Sequence, residues 1–335
     1  MAEDAHTTEQ THNLIEVDEE STANDSTYGD ELSSYTASLT SSVRNFRKEN
    51  GRTYHGYRDG NYLLPNDEDE ADRLDLLHEM TLTMMDRKLF LAPIGDSPQH
   101  VIDLGTGTGI WALDFADQYP SAEVIGVDLS PIQPSMVAPN VKFLIDDIEQ
   151  PWVYSKPFDF VHARFLALSI RDYKKLLKQA YDNTVPGGWV EIQDWDGTLR
   201  SDDGSTQGTS IEQYYDVILK GFKKAGFETS PGPHLKEWFR EIGFEDIHEQ
   251  RYTVPMGSWP KDKHLKKVGT WNLVQAETAG FEAGGLAVLT RYEGWSKEEV
   301  TILSAKSRND IRNPKIHSMF HYYVVYGRKP RKKPE

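Results

Sequence analysis

The sequence predicts an α/β protein: a mostly parallel sheet covered by helices on both faces and carrying an inserted helical cap. Three observations point there. Short, continuous apolar runs alternate with amphipathic helical segments over residues 65–195, as expected of strands buried on both sides. The bend GTGTG (105–109) follows the first of these runs, and glycines at a strand end let backbone amides approach a ligand. The next two runs end in Asp128 and in Asp146 and Asp147. In a parallel sheet those ends share one crevice, near the switch in strand order.

The elements follow in chain order. Segment 65–90 starts on Asn66 or Asp67 as a helix cap with an acidic first turn, and Leu74, Leu77, Met84, Met85 and Leu89 form one helical stripe. HVIDL (100–104) is a strand, then come the glycine bend and a helix through Ala116 that must stop before Pro120. AEVIGVD (122–128), VKFLIDD (141–147) and FDFVHARF (158–165) are further strands. The helix DYKKLLKQAYDNT (172–184) and the turn PGG (186–188) lead into WVEIQDW (189–195). Segments 210–226 and 232–243 read as helices, 245–255 as a strand, 261–284 and 296–311 as helices, and 318–329 as a closing strand. The stretch 256–314 is too long for a simple connection and reads as a cap over the cleft, where acceptor selectivity would reside.

Composition narrows the chemistry. There is no cysteine, which excludes disulfides, thiolate nucleophiles and cysteine-ligated zinc; no metal site is expected. No apolar run is long enough to span a bilayer, and the polar, acidic start MAEDAHTTEQ is not a signal peptide. The net charge of −16 is largely a property of the first 43 residues, which hold ten acids and no Lys or Arg; the rest carries 43 acids against 37 bases. Residues 1–42 read as a disordered acidic tail. Nothing resembles the basic face that nucleic acid requires. RKPRKKPE (328–335) is a short basic end that admits a reading as a nuclear import signal, so a cytoplasmic location with access to the nucleus is expected.

The ligand of the glycine bend is decided by context. A P-loop needs Gly-Lys-Ser/Thr, but Gly109 is followed by Ile110 and Trp111. The dinucleotide pattern wants a small residue at 110, and no tyrosine has Lys four residues on for short-chain dehydrogenase chemistry. NAD is left without its two best supports, though open. S-adenosylmethionine has no phosphate and asks for other partners. Gly105, Thr106, Gly107 and Gly109 would bend the backbone around the amino-acid and nucleoside parts. Asp128 would accept the ribose hydroxyls with Leu129 beside the adenine. Asp146 and Asp147 stand where the adenine amino group would be met, with Ile148 on the ring face. Asp103 would favour the ligand's ammonium.

Here the sequence resembles class I S-adenosylmethionine-dependent methyltransferases, and more closely the fungal LaeA-like group linked to secondary metabolism. The resemblance is carried by residues 54–78, VIDLGTGTGIWALDFADQYPSAEVIGVDLSPIQP (101–134), NVKFLIDDIEQPW (140–152), PGGWVEIQDWD (186–196), VPMGSWPKDKHLKKVG (254–269), EGWSKEEV and VVYGRKP. It covers nearly everything from 46 to 330. It implies a Rossmann-like sheet of seven strands with the last reversed, S-adenosylmethionine as cofactor, and Tyr57 and Arg58 closing over it. The methyltransferase domain would then span 43–328, with 197–240 and 256–314 as cap insertions and 329–335 as a basic tail. The group also implies an alternative to a small-molecule methyltransferase: a regulator acting through velvet-type protein partners, with protein methylation or cofactor binding alone.

Methyl transfer is an in-line displacement in which the protein aligns the partners and excludes water. A base helps where the nucleophile is a hydroxyl or a protonated amine. His162 and Asp194, at the exits of their strands, are the candidate catalytic residues, and Arg164 is a candidate carboxylate binder. His162 and Arg164 have plainer readings, as a hydrogen-bonded core histidine and as the partner of a nearby acid. Trp195, Tyr214, Tyr215, Trp259, Trp271 and Trp295 are candidates to line an apolar acceptor pocket.

Overall fold

The computed structural model describes residues 45–331. The acidic segment 1–42 lies outside the described residues. A short hairpin comes first, β1 (Arg47–Glu49) against β2 (Arg52–Tyr54). The sheet that organises the molecule has seven strands: β3 (His100–Leu104), β4 (Glu123–Asp128), β5 (Val141–Ile145), β6 (Phe158–Arg164), β7 (Thr184–Arg200), β8 (Glu245–Pro255) and β9 (Met319–Arg328). Their order is β5-β4-β3-β6-β7-β9-β8. All neighbouring pairs from β5 to β7 are parallel, and β9 runs antiparallel to both β7 and β8. The order therefore reverses at β3, whose neighbours are β4 and β6. The glycine bend leaves the sheet at that switch point.

Period-two alternation assigns side chains to the two layers. Ile102, Leu104, Val161 and Ala163 face a core shared with α3 (Tyr173–Asp182) and α5 (Gly232–Ile242). Val101, Val124 and Phe160 face the opposite core with Trp111 and Phe115 of α2 (Ile110–Gln118). Burying each of the Val, Leu, Ile and Phe side chains among them contributes roughly 1.5–3 kcal/mol.

The first helix, α1, spans Glu68–Met84, shorter than the expected 65–90. Asp67 caps it by accepting from the Glu70 amide, and it stops where Asp86 and Arg87 turn left-handed. Leu89 is consequently not on the helix. Its carbonyl accepts from Trp111 Nε1 and Gln193 Nε2, while the adjoining Leu91 and Ala92 amides donate to Glu191. The expected PGG turn lies inside β7. There it shifts the register against β6, pairing Phe158 with Thr184 but Phe160 with Trp189, a bulge that admits Pro186 within a strand.

The cap is built from α4 (Ser210–Lys224), α6 (Lys263–Gln275), α7 (Phe281–Val288) and α8 (Lys297–Arg312). Between α6 and α7, and again after α7, the helix widens into π-turns at Ala276–Gly280 and Leu289–Glu293. The cap has its own core, with Tyr214, Ile218 and Phe222 packed on Phe281, Val288 and Val300. Within segment 197–240, α4 joins this core, whereas Leu235 and Phe239 of α5 pack in the core of the sheet. The expected basic tail is tied down at its start. Lys329 Nζ donates to the carbonyls of Asp182 and Thr184 at 3.1 and 2.8 Å, and its backbone amide donates to Gly188.

Candidate functional site

Two cavities, of about 110 and 180 Å³, open at the carboxyl ends of the parallel strands. The smaller is framed by the glycine bend. Gly105 and Gly109 adopt φ of +66° and +84°, a region costly for any residue with a Cβ. A Cβ at Gly105 would stand 2.6 Å from Leu166 Cδ2, and one at Gly109 2.4 Å from Phe143 Cζ. Glycine at both lets the bend pass between Phe143 of β5 and Leu166 at the exit of β6. Gly105, Thr106 and Gly107 line the cavity, whereas Gly109 supports it from behind as the N-cap of α2.

The strand-end acids are brought together on the same cavity. Asp128 accepts from the Gly107 and Ser130 amides, both at 2.9 Å, so the bend and the second strand end are braced on one another. Burial pushes its carboxyl up to about 6, outweighing those two hydrogen bonds. Asp147 is buried and accepts from the Glu149 amide at 3.0 Å, Asn61 Nδ2 at 3.2 Å and Gln150 Nε2 at 3.3 Å. Asp146 is exposed at the rim and accepts from the Asp147 amide. Leu129 and Ile148 supply apolar faces beside these carboxylates.

Among the described residues, Arg164 is the one cation on this cavity wall. Its guanidinium donates to His78 Nδ1 at 2.8 Å, which leaves His78 Nε2 to donate to Asp114 at 3.0 Å. With Asp128, Asp146, Asp147 and Glu149 on the same wall, the cavity disfavours a polyphosphate. It suits a ligand offering hydroxyls and an amino group to the carboxylates, an aromatic ring to Leu129 and Ile148, and one carboxylate to Arg164. The donor set fits an adenosyl amino acid and does not fit a dinucleotide.

The segment 55–64 straps over this cavity. Its two ends are clamped by Arg52, which holds Asp67 through two 2.6 Å contacts, and by Thr53 donating to Asn66 at 2.9 Å. The buried His55 folds the loop, with Nδ1 donating to the Tyr57 carbonyl and Nε2 accepting from the Tyr62 amide. Asn61 and Tyr62 line the cavity; Tyr57 and Arg58 do not. Arg58 instead reaches Asp147 from outside, at 3.5 Å.

Three other expected site residues are structural. Asp103 accepts from Thr106 Oγ1 at 2.6 Å and from His162 Nδ1 at 2.8 Å, and it does not line the cavity. His162 is wholly buried and stacks on Trp111 with ring centres 3.8 Å apart and planes within 3°. Burial holds its imidazole below the ordinary value despite Asp103. It borders neither cavity, so the acceptor cannot reach it as a base. Asp194 is likewise spoken for: it accepts from the Leu166, Ala167 and Trp195 amides and from the Tyr173 hydroxyl at 2.7 Å. Its work is to fix the β6 exit, whose Phe165 and Leu166 are cavity walls.

The larger cavity lies between the sheet and the cap, and shares Tyr62, Leu74 and Phe165 with the smaller. Of the aromatic candidates, Trp195, Tyr214 and Tyr215 line it, joined by Phe281 and Phe320; Trp259, Trp271 and Trp295 do not. Arg73, Asn272 and Gln275 form a polar edge that sequence reasoning missed, as it missed Asn61 and Tyr62.

A methyltransferase domain model matches residues 76–249. The chain belongs to the methyltransferase-domain family. Its relatives agree over almost the whole length: it is 39% identical over 320 residues to Methyltransferase pytC of Aspergillus terreus, covering 95% of this chain and 97% of that one. It is 37% identical over 292 residues to Secondary metabolism regulator laeA of Aspergillus fumigatus (84% and 76%). Against Protein-methionine methyltransferase laeA of Emericella nidulans the identity is 36% over 295 residues (85% and 77%). The matched domain of this methyltransferase contains the glycine bend and the three acids. Tyr62, Arg73, Gln275 and most of the cap side of the larger cavity fall outside it.

Proposed function

We propose that this methyltransferase transfers the methyl group of S-adenosylmethionine to a small organic acceptor in fungal secondary metabolism. The observation that carries the reading is the shared wall. A cavity suited to the adenosyl amino acid and an apolar, aromatic-lined cavity meet along Tyr62, Leu74 and Phe165, as displacement between two bound partners requires. The pytC relative, similar from end to end, supports it. In this reading Asp128 accepts the ribose hydroxyls, Asp147 the adenine amino group, Leu129 and Ile148 cover the ring, and Arg164 takes the carboxylate.

The bound cofactor supplies a methyl group already activated on a sulfonium. The chain's own residues align it with the acceptor and keep water out. Among the described residues, no histidine or lysine lines either cavity. The one carboxylate that the described residues place on the acceptor side, Asp196, is held by Arg200 and Ser230. Burial opposes its charge, yet these partners keep its carboxyl below the ordinary range, which makes it a poor base. The acceptor therefore presents a lone pair already free at neutral pH, and any proton left on the methylated product is shed once it is released to solvent.

A second reading draws on the laeA relatives, one named a secondary metabolism regulator and one a protein-methionine methyltransferase: a nuclear regulator acting through velvet-type partners. Incubating the protein with labelled S-adenosylmethionine and cell extract separates the two. Label in low-molecular-mass products supports the first reading. Label confined to protein, with velvet-type proteins recovered in a nuclear pull-down, replaces it with the second.

A further inference from the structure

Resting on that reading, we propose that the acceptor is a flat, uncharged molecule anchored through a carbonyl-type oxygen to the guanidinium of Arg73. This arginine projects from α1 into the acceptor cavity with its side chain only 12% exposed. Nε and one terminal nitrogen grip Glu70 at 2.7 and 2.6 Å, and the other terminal nitrogen donates to Gln275 Oε1 at 3.3 Å. A guanidinium carries five N–H groups; these three bonds leave two without a partner among the described residues. A buried donor left unpaired is costly, and an oxygen of the bound acceptor supplies what is missing.

The charges select which oxygen. Glu70, with a side chain 1% exposed, already neutralises Arg73, and Asp196 stands on the same cavity wall paired with Arg200. A carboxylate would meet two acids whose counter-charges are already engaged, and an ammonium would meet Arg73. A neutral oxygen meets neither penalty. Gln275 is held in register by donating to Asn272 Oδ1 at 2.8 Å, and Asn272 donates to the Pro255 carbonyl at 3.0 Å, so the polar edge is preorganised.

Shape comes from the rest of the wall. Phe165, Trp195, Tyr215 and Phe320 supply flat surfaces, and Ala276, Gly280 and Gly284 keep bulk out of the same cavity. The first π-turn, which opens directly after Gln275, sets these small residues on the cavity.

The test uses the full chain with S-adenosylhomocysteine present and three calorimetric probes of one shape: 2-acetylnaphthalene, 2-isopropylnaphthalene and 2-naphthoate. The ketone is expected to bind at least about tenfold tighter than either of the others, as one good hydrogen bond to a charged group provides. That preference should collapse in Arg73→Lys, which keeps the charge facing Glu70 but loses the fork. Should that variant fail to fold, the charge-neutral pair Glu70→Gln with Arg73→Gln is expected to give the same collapse. Equal binding of ketone and hydrocarbon, tighter binding of the naphthoate, binding of none of the three, or a preference that survives in the folded variants overturns the proposal. Failure of the wild-type chain to bind S-adenosylhomocysteine would instead overturn the cofactor reading beneath it.

Discussion

At the scale of single residues, Asp128 carries the sharpest expectation. Its carboxyl lies near 6 because it is buried, and only the ionised form accepts from two hydroxyls. Affinity for S-adenosylmethionine should hold above pH 7 and weaken as pH falls through about 6, approaching tenfold per unit below it. Calorimetry across pH 5–8 checks this. Asp128→Ala should lose about 1–3 kcal/mol at pH 8 and show a flatter profile; an unchanged affinity in that variant would contradict the ribose assignment. His162 shows the opposite character. Replacing it with Ala removes the stack on Trp111 and leaves one oxygen of the buried Asp103 without its partner, so unfolding in urea should report a loss of roughly 2–4 kcal/mol. The pH profile of turnover should keep its shape, since the imidazole meets no acceptor.

At the scale of elements, the strands, the glycine bend and the acids were legible because each is written locally. Continuous apolar runs, glycines and terminal aspartates mean the same thing wherever the sheet places them. The elements that went astray depend on contacts distant in sequence. Nothing in the residue types of Asp86 and Arg87 announces their left-handed turn, so α1 reads too long. A π-turn has no residue signature of its own, so Ala276–Gly280 passes for ordinary helix in the sequence. Glu70 and Arg73, three apart on a charged helix, look like a solvated pair until the cap covers them. The strap was expected to present Tyr57 and Arg58. His55 instead folds it so that Asn61 and Tyr62 face inward, a choice set by one buried imidazole.

Across the whole molecule, stability should depend on pH through Glu191, buried in the centre of the sheet. It accepts from the Leu91 and Ala92 amides and from Gln193, yet burial pushes its carboxyl up to about 7. A carboxyl raised on folding favours the native state while protonated. That contribution is complete below about 4.5 and is lost as pH rises through 7. Glu191→Gln should therefore gain on the wild type by roughly 2–4 kcal/mol between pH 4.5 and 8. Calorimetric unfolding at both pH values measures it, and a gap independent of pH would refute the link. The loop that Glu191 holds also carries the Leu89 carbonyl bound by Trp111 and Gln193, so this titration is felt on both layers.

Tyr62 borders both rooms, and Asn61 and Arg58 on the same strap are tied to Asp147. One door therefore serves two tenants. Demethylated cofactor and methylated product should depart with a common rate constant in stopped-flow measurements, and Arg58→Ala should hasten both equally. Two independent departures would mean that the rooms have separate exits.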